Sequence, residues 1–351
     1  MRSARRGPGK DLGLKITDIG EFGLISRIAG MLPRHPPGVL VGIGDDVAVL
    51  EVSPGGVLLA TCDIQVEDVH FRRAWITPYQ LGRKVVAINV SDIAAMGGSP
   101  AWALVSLALP RDTRVEFVDE LYGGMQEEIS RAGGAIVGGN VSTIHSRVVI
   151  DLFLMGRADP EKLIRREGAR VGDRILVTGT LGDSRAGLEL IQRPDLKVDS
   201  AHARRVLDRH RTPSPRWREG QCLASSGRVH AMVDVSDGVL SDVGHICRAS
   251  AVGAEIRLSD LPVSDPCREV ARAAGKDWED WALTGGEDYE LLFGVAEDQA
   301  DEVARLVEEE TGTPCRCIGS FIPRDEGIFV SAPGKALKKD LSRFRGWDHF
   351  R

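Results

Sequence analysis

Apolar and polar positions alternate along this chain in two rhythms, one of period two and one near 3.6, and the changes between them divide it into strands and helices. Residues Ile16 to Met31 carry helical periodicity. Val47 to Val52 and Val57 to Val66 read as strands, with Pro54-Gly55-Gly56 as the turn between them. A helix is predicted from about Pro78 to Met96, a strand over Ala101 to Leu109 closed by Pro110, and an amphipathic helix over Val115 to Arg131. Ala135 to Val137 and Val148 to Met155 supply further strands. A second cycle begins near Arg157: strand Arg174 to Val177, turn Thr178 to Gly182, then a helix whose natural N-cap is Asp183. Helices over His202 to Arg211 and Arg216 to Ser225 follow, then strand Ala231 to Val233, helix Val239 to Ala249 and strand Glu255 to Leu258. Glu290 to Val295 reads as a strand, Asp298 to Glu310 as a surface helix, and Cys315 to Phe321 with Gly327 to Val330 as the last strands. No short-period repeat indicates a solenoid.

This is an α/β (α+β) pattern in two halves. At 351 residues the chain exceeds one ordinary hydrophobic core. The expected organisation is a flexible basic tail over 1–15, an N-terminal domain over 16–157 and a C-terminal α/β domain over 158–351, packed tightly because no low-complexity linker separates them. Hydrophobic residues make up 42% and charged residues 27%, the balance of a globular protein. The longest apolar stretches, Ala101 to Pro110 and Val148 to Met155, are about half of what a membrane-spanning helix needs. The basic start lacks an apolar core of the signal-peptide kind, so a cytoplasmic protein is expected. A net charge of -6 offers no broad basic footprint for nucleic acid. Six cysteines form no C-x-x-C pair and have no accompanying His spacing for zinc, so reduced, mostly buried thiols are expected.

Carboxylates supply the candidate chemistry. Gly44-Asp45-Asp46, Thr61-Cys62-Asp63, Ser91-Asp92, Gly138-Gly139-Asn140, Asp234-Val235-Ser236-Asp237 and Gly285-Gly286-Glu287-Asp288 mostly end a strand or interrupt an apolar segment. Keeping a carboxylate there is costly. Two unit charges roughly 6 Å apart repel by about 3 kcal/mol at an effective dielectric near 20, so several would converge only around cations. Asp92 is the most telling, because Val85 to Met96 is a helix apolar almost all round, with Asn89 one turn earlier on the same face. The alternative for Asp92 is a structural hydrogen bond or a pairing with Lys84 or Arg83. That for Asp45-Asp46 is a turn, and that for Asp237 or Ser236 is a helix cap. Scattered oxygen ligands suit magnesium better than zinc. No P-loop, kinase catalytic loop or dinucleotide fingerprint is present.

An ordered set of motifs resembles the thiamine-monophosphate kinase family. It comprises Gly20-Glu21-Phe22, Gly42-Ile43-Gly44-Asp45-Asp46, Val66-Glu67-Asp68-Val69-His70-Phe71, Asn89-Val90-Ser91-Asp92-Ile93-Ala94-Ala95-Met96-Gly97 and Val177-Thr178-Gly179-Thr180-Leu181-Gly182-Asp183. Asp234-Val235-Ser236-Asp237-Gly238, Leu283-Thr284-Gly285-Gly286-Glu287-Asp288-Tyr289-Glu290-Leu291 and Gly346-Trp347-Asp348-His349-Phe350 complete it. The resemblance implies the two-domain fold of the aminoimidazole-ribonucleotide-synthetase-like superfamily, and a homodimer formed through the N-terminal sheets. It also implies transfer of the γ-phosphoryl group of ATP to thiamine monophosphate with several Mg2+ ions. Carried over by motif, the metal ligands are Asp46, Thr61, Asp63, Asp92, Asp234 and Asp237. Cys62 serves at most through its backbone carbonyl, and Asn140 through its side-chain oxygen. Tyr122, Gly139, Asn140, Arg166 and Ser236 are the ATP contacts, and His70, Glu287 and Trp347 line the thiamine-phosphate side. Trp347 offers its ring face to the thiazolium cation.

Two positions depart from the family pattern. Gly138-Gly139-Asn140-Val141-Ser142-Thr143 stands where the family commonly has Gly-Gly-Asp-Thr-Thr-Arg, and Cys62 replaces a common threonine. Weaker metal affinity is the expectation. Selenophosphate synthetases need a reactive N-terminal Cys or selenocysteine, and nothing before Cys62 offers one. Hydrogenase-maturation relatives end in a cysteine motif, whereas this chain ends His349-Phe350-Arg351. Another ATP-using member of the superfamily, or a nucleotide-binding homologue without catalysis, is the alternative.

Overall fold

The structure is a computed structural model that describes residues 39–41, 45–46, 48–53 and 56–332. The expected tail over 1–15, the helix over Ile16 to Met31, the Gly20-Glu21-Phe22 and terminal motifs and Trp347 lie outside the described residues.

The first half is a six-stranded sheet with two helices on one face. Its strands are β1 (Val39–Val41), β2 (Ala48–Ser53), β3 (Gly56–Val66), β4 (Ser99–Pro110), β5 (Ala135–Ile144) and β6 (Val149–Ala158), in the order β1-β2-β3-β6-β4-β5. Among the described strands of this sheet only β4 and β5 pair in parallel, as expected of two strands joined by a crossover helix. Strand β5 runs seven residues beyond the expected end at Val137, because its backbone pairs with β4 as far as Ile144.

Helices α1 (Pro78–Ala95) and α2 (Val115–Arg131) cover the sheet. A capping box starts α1: Gln80 N–H donates to Thr77 Oγ1, Thr77 N–H donates to Gln80 Oε1, both at 3.2 Å, and Pro78 opens the first turn. The two helices touch backbone to backbone. A Cβ on Gly82 would stand 2.0 Å from Leu121 O, and one on Gly124 would stand 1.9 Å from Tyr79 O. Val85, Val86, Val90 and Ile93 of α1 bury against Val105, Leu107, Ile150, Leu152 and Leu154 of the sheet. Each such side chain contributes about 1.5–3 kcal/mol relative to exposure.

The second half holds another six-stranded sheet. Its strands are β7 (Arg174–Thr178), β8 (Val229–Asp234), β9 (Gly253–Arg257), β10 (Leu291–Val295), β11 (Cys315–Ile322) and β12 (Ile328–Ser331), ordered β12-β9-β11-β7-β10-β8. Helices α3 (Asp183–Gln192), α4 (Ser200–Arg211), α5 (Trp217–Ser226), α6 (Val239–Ser250), α7 (Asp265–Ala274), α8 (Trp278–Thr284) and α9 (Ala300–Thr311) surround it. Helices α7 and α8 are not anticipated by the pattern reading, although Ser264 caps α7 by accepting from Cys267 N–H at 3.1 Å. The N-cap of α3 is Gly182 and not Asp183. Asp183 is instead the first helical residue, and its buried carboxylate accepts from Thr180 and Ser264 hydroxyls.

Helix α1 is apolar on all sides because both sides are occupied. Its Ala94 and Ala95 join Leu176, Met232, Leu291 and Phe293 in a core of the second half.

Candidate metal and phosphate site

Asp46, Asp92 and Asp234, with Thr61, meet where α1 crosses from one sheet to the other. Alternation along β3 turns Thr61 and Asp63 toward α1 and Cys62 to the opposite face. Thr61 Oγ1 donates to Asp92 Oδ2 at 2.5 Å. Asp46 stands just before β2, Asp234 ends β8, and Asp237 lies just before α6. One carboxylate oxygen from each of Asp46, Asp92 and Asp234 falls within 4.8 Å of the others. Three segments far apart in sequence thus place three carboxylates together, as the carboxylate pattern anticipates.

Burial decides the electrostatics. Burial and then the neighbouring Asp63, Asp234 and Asp46 push the Asp92 carboxyl well above the usual range, against the Thr61 hydrogen bond. Asp46 is pushed up to about 7, chiefly by burial, even though Arg166 pairs with it. Asp63 rises to about 6 through burial and through Asp151, Asp237 and Asp46. Asp234 also rises to about 6 by burial, partly offset by Ser91 Oγ, which donates to its Oδ2 at 2.7 Å. Asp46 Oδ2 is buried without a hydrogen-bond partner. An all-oxygen donor set with an unpartnered buried carboxylate oxygen fits a hard divalent cation.

The other anticipated residues are more dispersed. Arg166 lies against Asp45 and Asp46, its N–H donating to Asp45 Oδ2 at 3.4 Å. Cys62 is exposed on the outer face of the first sheet, where its thiol donates to Asp151 Oδ1 at 3.0 Å. Asn140 aligns with Ser106, and Ser106 with Asp151, so it shares that outer face and not the face of Asp63. Gly139 aligns with Val105, and a Cβ there would stand 1.9 Å from Val105 O, so no other residue fits. Tyr122 packs at the edge of the first core on α2. His70 sits in the turn after β3, its Nδ1 accepting from Val66 N–H at 3.0 Å. Ser236 contributes its carbonyl to Glu287 N–H at 2.8 Å. Glu287 faces Lys84 and His210 across the junction, and its carboxyl lies far below the usual range: burial alone would raise it, but Lys84 and His210 lower it more.

Pattern reasoning missed several partners. Ser91 anchors Asp234, and its only signal is its place beside Asp92. Asp242 and His245 on the first turns of α6 gather with Asp237, ligand atoms within 4.8 Å, and Asp242 Oδ2 accepts from Asp237 N–H at 3.2 Å. Lys84 pairs with Glu287 and Arg83 with Glu128, so neither neutralises Asp92.

Comparison with known proteins accords with this architecture. Residues 44–158 match the family described as AIR synthase related protein, N-terminal domain, and residues 170–331 match AIR synthase related protein, C-terminal domain. Fold and site therefore define an AIR synthase related protein of two domains with a carboxylate-lined junction. Hydrogenase-maturation proteins share this fold at lower similarity: Escherichia coli HypE superposes with a TM-score of 0.63 at 23% identity, covering 80% of this chain and 83% of that one.

Within the class, the chain belongs to the thiamine-monophosphate kinase family. It is 35% identical over 337 residues to the thiamine-monophosphate kinase of Aquifex aeolicus, covering 96% of this chain and all of that protein. The Bacillus subtilis thiamine-monophosphate kinase is 36% identical over 341 residues, covering 94% of this chain and 99% of that one. The solved structure of AaThiL complexed with AMPPCP and TMP superposes with a TM-score of 0.81 at 34% identity, covering 97% of this chain and all of that one.

Proposed function

We infer that this protein is an enzyme that transfers the γ-phosphoryl group of ATP directly to thiamine monophosphate, giving thiamine diphosphate and ADP. The observation that carries the reading is the convergence of Asp46, Asp92 and Asp234 from both halves of the fold, in a chain similar over nearly its whole length to thiamine-monophosphate kinases. A phosphate oxygen of thiamine monophosphate, already anionic at neutral pH, forms the new bond to Pγ. The bond from Pγ to the β,γ-bridging oxygen breaks, and its electron pair leaves with ADP. No side chain need act as a general base, so alignment and charge neutralisation carry the rate.

Asp46, Asp63, Asp92, Asp234 and Asp237, with Thr61, are the residues that would hold magnesium. Bound ions would supply neutralisation of the phosphate charge there. Thr61 and Ser91 hold the Asp92 and Asp234 carboxylates in place by their hydroxyl hydrogen bonds. Arg166, beside Asp46, is placed to follow the nucleotide phosphates, with Gly139, Asn140, Tyr122 and Ser236 as the other nucleotide contacts. His70, Glu287 and Trp347 are assigned to the thiamine side.

The protein works as a homodimer through the outer face of the first sheet. Supporting this, that face exposes Ile64 and Leu104 at 50% and 37%, beside Cys62 and Asn140. The chain divides near residue 157, as the separate sheets and family matches suggest. A cytoplasmic location, with neither nucleic acid nor membrane as partner, accords with the net charge of -6 and with the absence, among the described residues, of any helix long and apolar enough to cross a membrane.

The test is purified protein with ATP and MgCl2, given thiamine monophosphate or thiamine and scored for thiamine diphosphate. Product from the monophosphate alone, abolished by EDTA, is expected. Failure to form any product, or equal product from thiamine, overturns the reading.

A further inference from the structure

Lys84 is 1% exposed, on the side of α1 that faces the second half of the fold. A buried ammonium costs several kcal/mol unless it is paired with good geometry. Its Nζ lies 2.9 Å from Glu287 Oε1, and the other carboxylate oxygen lies 3.2 Å from His210 Nδ1. His210 Nδ1 is in turn 3.0 Å from Ser184 Oγ. Both oxygens of Glu287 are therefore engaged.

The segment that Glu287 belongs to is strained. Glu287 and Tyr289 have φ of 65° and 51°, left-handed values that cost non-glycine residues roughly 1–3 kcal/mol each unless the surroundings enforce them. Enforcement comes from two directions. Glu287 N–H donates to Ser236 O at 2.8 Å and Tyr289 N–H to Val235 O at 2.9 Å, which lashes the turn to the segment carrying Asp234, Ser236 and Asp237. Lys84 holds the same turn from α1. Seven residues along α1, Ser91 donates to Asp234 at 2.7 Å, and Asp92 follows it. One rigid helix thus carries a carboxylate of the cluster and two side-chain bridges to the other domain's share of it.

We propose that Lys84 is a positioning residue for the phosphoryl transfer. By pinning the Glu287 turn to α1, it sets where Asp234 and Asp237 stand relative to Asp92 and Asp46. This rests on the reading of the junction as a cation and phosphate site. An acidic cluster repels itself, and the Lys84–Glu287 pair, with Ser91, holds its two sides in register against that repulsion.

The experiment uses the full chain with Lys84→Met, Glu287→Gln and the double variant. Steady-state kinetics is joined to a titration with Mn2+ alone, followed by electron paramagnetic resonance. Each single variant is expected to lower kcat at least tenfold and to weaken Mn2+ binding at least fivefold, with the KM for ATP changed by less than threefold. The double variant should be no worse than the poorer single one, because both act through one contact. Where Lys84→Met fails to fold, the titration of Glu287→Gln with Mn2+ alone carries the comparison, since it is read without thiamine monophosphate and so does not depend on a Glu287 contact to that substrate. A lowered melting temperature with kcat and the Mn2+ titration unchanged overturns the proposal, as does a double variant with additive losses. Should the unaltered protein form no thiamine diphosphate, the functional reading fails, while the Mn2+ titration still decides the role of Lys84.

Discussion

The carboxylate cluster makes a quantitative prediction about stability and pH. In the folded protein burial pushes Asp46 up to about 7 and Asp63 and Asp234 up to about 6, against 3.8 for the free side chain. Between pH 4 and 7 the folded state therefore binds protons that the unfolded state has lost. Stability is fully present below the unfolded value and declines as pH rises through the folded one. For Asp46 a rise of about three units corresponds to about 4 kcal/mol, at roughly 1.36 kcal/mol per unit. The part of this that falls between pH 5 and 8 is about 3 kcal/mol, which in a chain of this size lowers the melting temperature by roughly 4 °C. A cation at the junction favours the ionised form and so removes the slope. Magnesium at a hundred times its dissociation constant should itself add about 2.7 kcal/mol. The assay is calorimetric melting at pH 5, 6, 7 and 8, in EDTA and in MgCl2. Asp288, raised to about 8 by burial, accepts from the Gly182 and Ser184 N–H groups, and its share of the slope should persist in magnesium. Asp288→Asn separates that share. If stability in EDTA stays level or increases from pH 5 to 8, the three carboxylates do not share a buried site and the argument fails.

Other perturbations test separate links. Asp92→Asn should reduce thiamine diphosphate formation at least a hundredfold, since one lost electrostatic clamp costs about 3 kcal/mol, and full activity would make Asp92 purely structural. Asn140→Asp adds a carboxylate on the outer face of the first sheet, where Asn140 is assigned to the nucleotide, and should lower the magnesium concentration needed for half-maximal rate; an unchanged midpoint would show that this face has no part in holding the nucleotide's magnesium. Gly82→Ala places a Cβ 2.0 Å from Leu121 O and should cost about 1–3 kcal/mol in denaturant unfolding as α1 and α2 are forced apart. Ile64→Arg puts a charge on the outer face of the first sheet and should shift sedimentation from two chains to one, whereas an unaltered two-chain species would place the interface elsewhere.

The legible parts are those whose physics is local. Period-two and period-3.6 patterns located both sheets and most helices, and the carboxylates of Asp46, Asp63, Asp92, Asp234 and Asp237 could be marked because a charge in an apolar segment is anomalous wherever that segment goes. Helices α7 and α8 escaped because their apolar faces are short, and Ser264 alone is a weak start signal. The length of β5 escaped because its residues 138 to 143, apart from the exposed Val141, are glycines and small polar side chains, which pair by backbone and not by pattern.

Pairings across distance belong to another level. Nothing near Asp92 in the chain says that its hydroxyl partner is Thr61, that Ser91 reaches Asp234 143 positions away, or that Lys84 pairs with Glu287 and not with Asp92. The chain by itself determined which residues could not be left alone in an apolar interior; the tertiary structure decided which of them meet. Burial makes each polar group need a partner, but only the crossing of α1 between two sheets brings those partners within hydrogen-bonding reach.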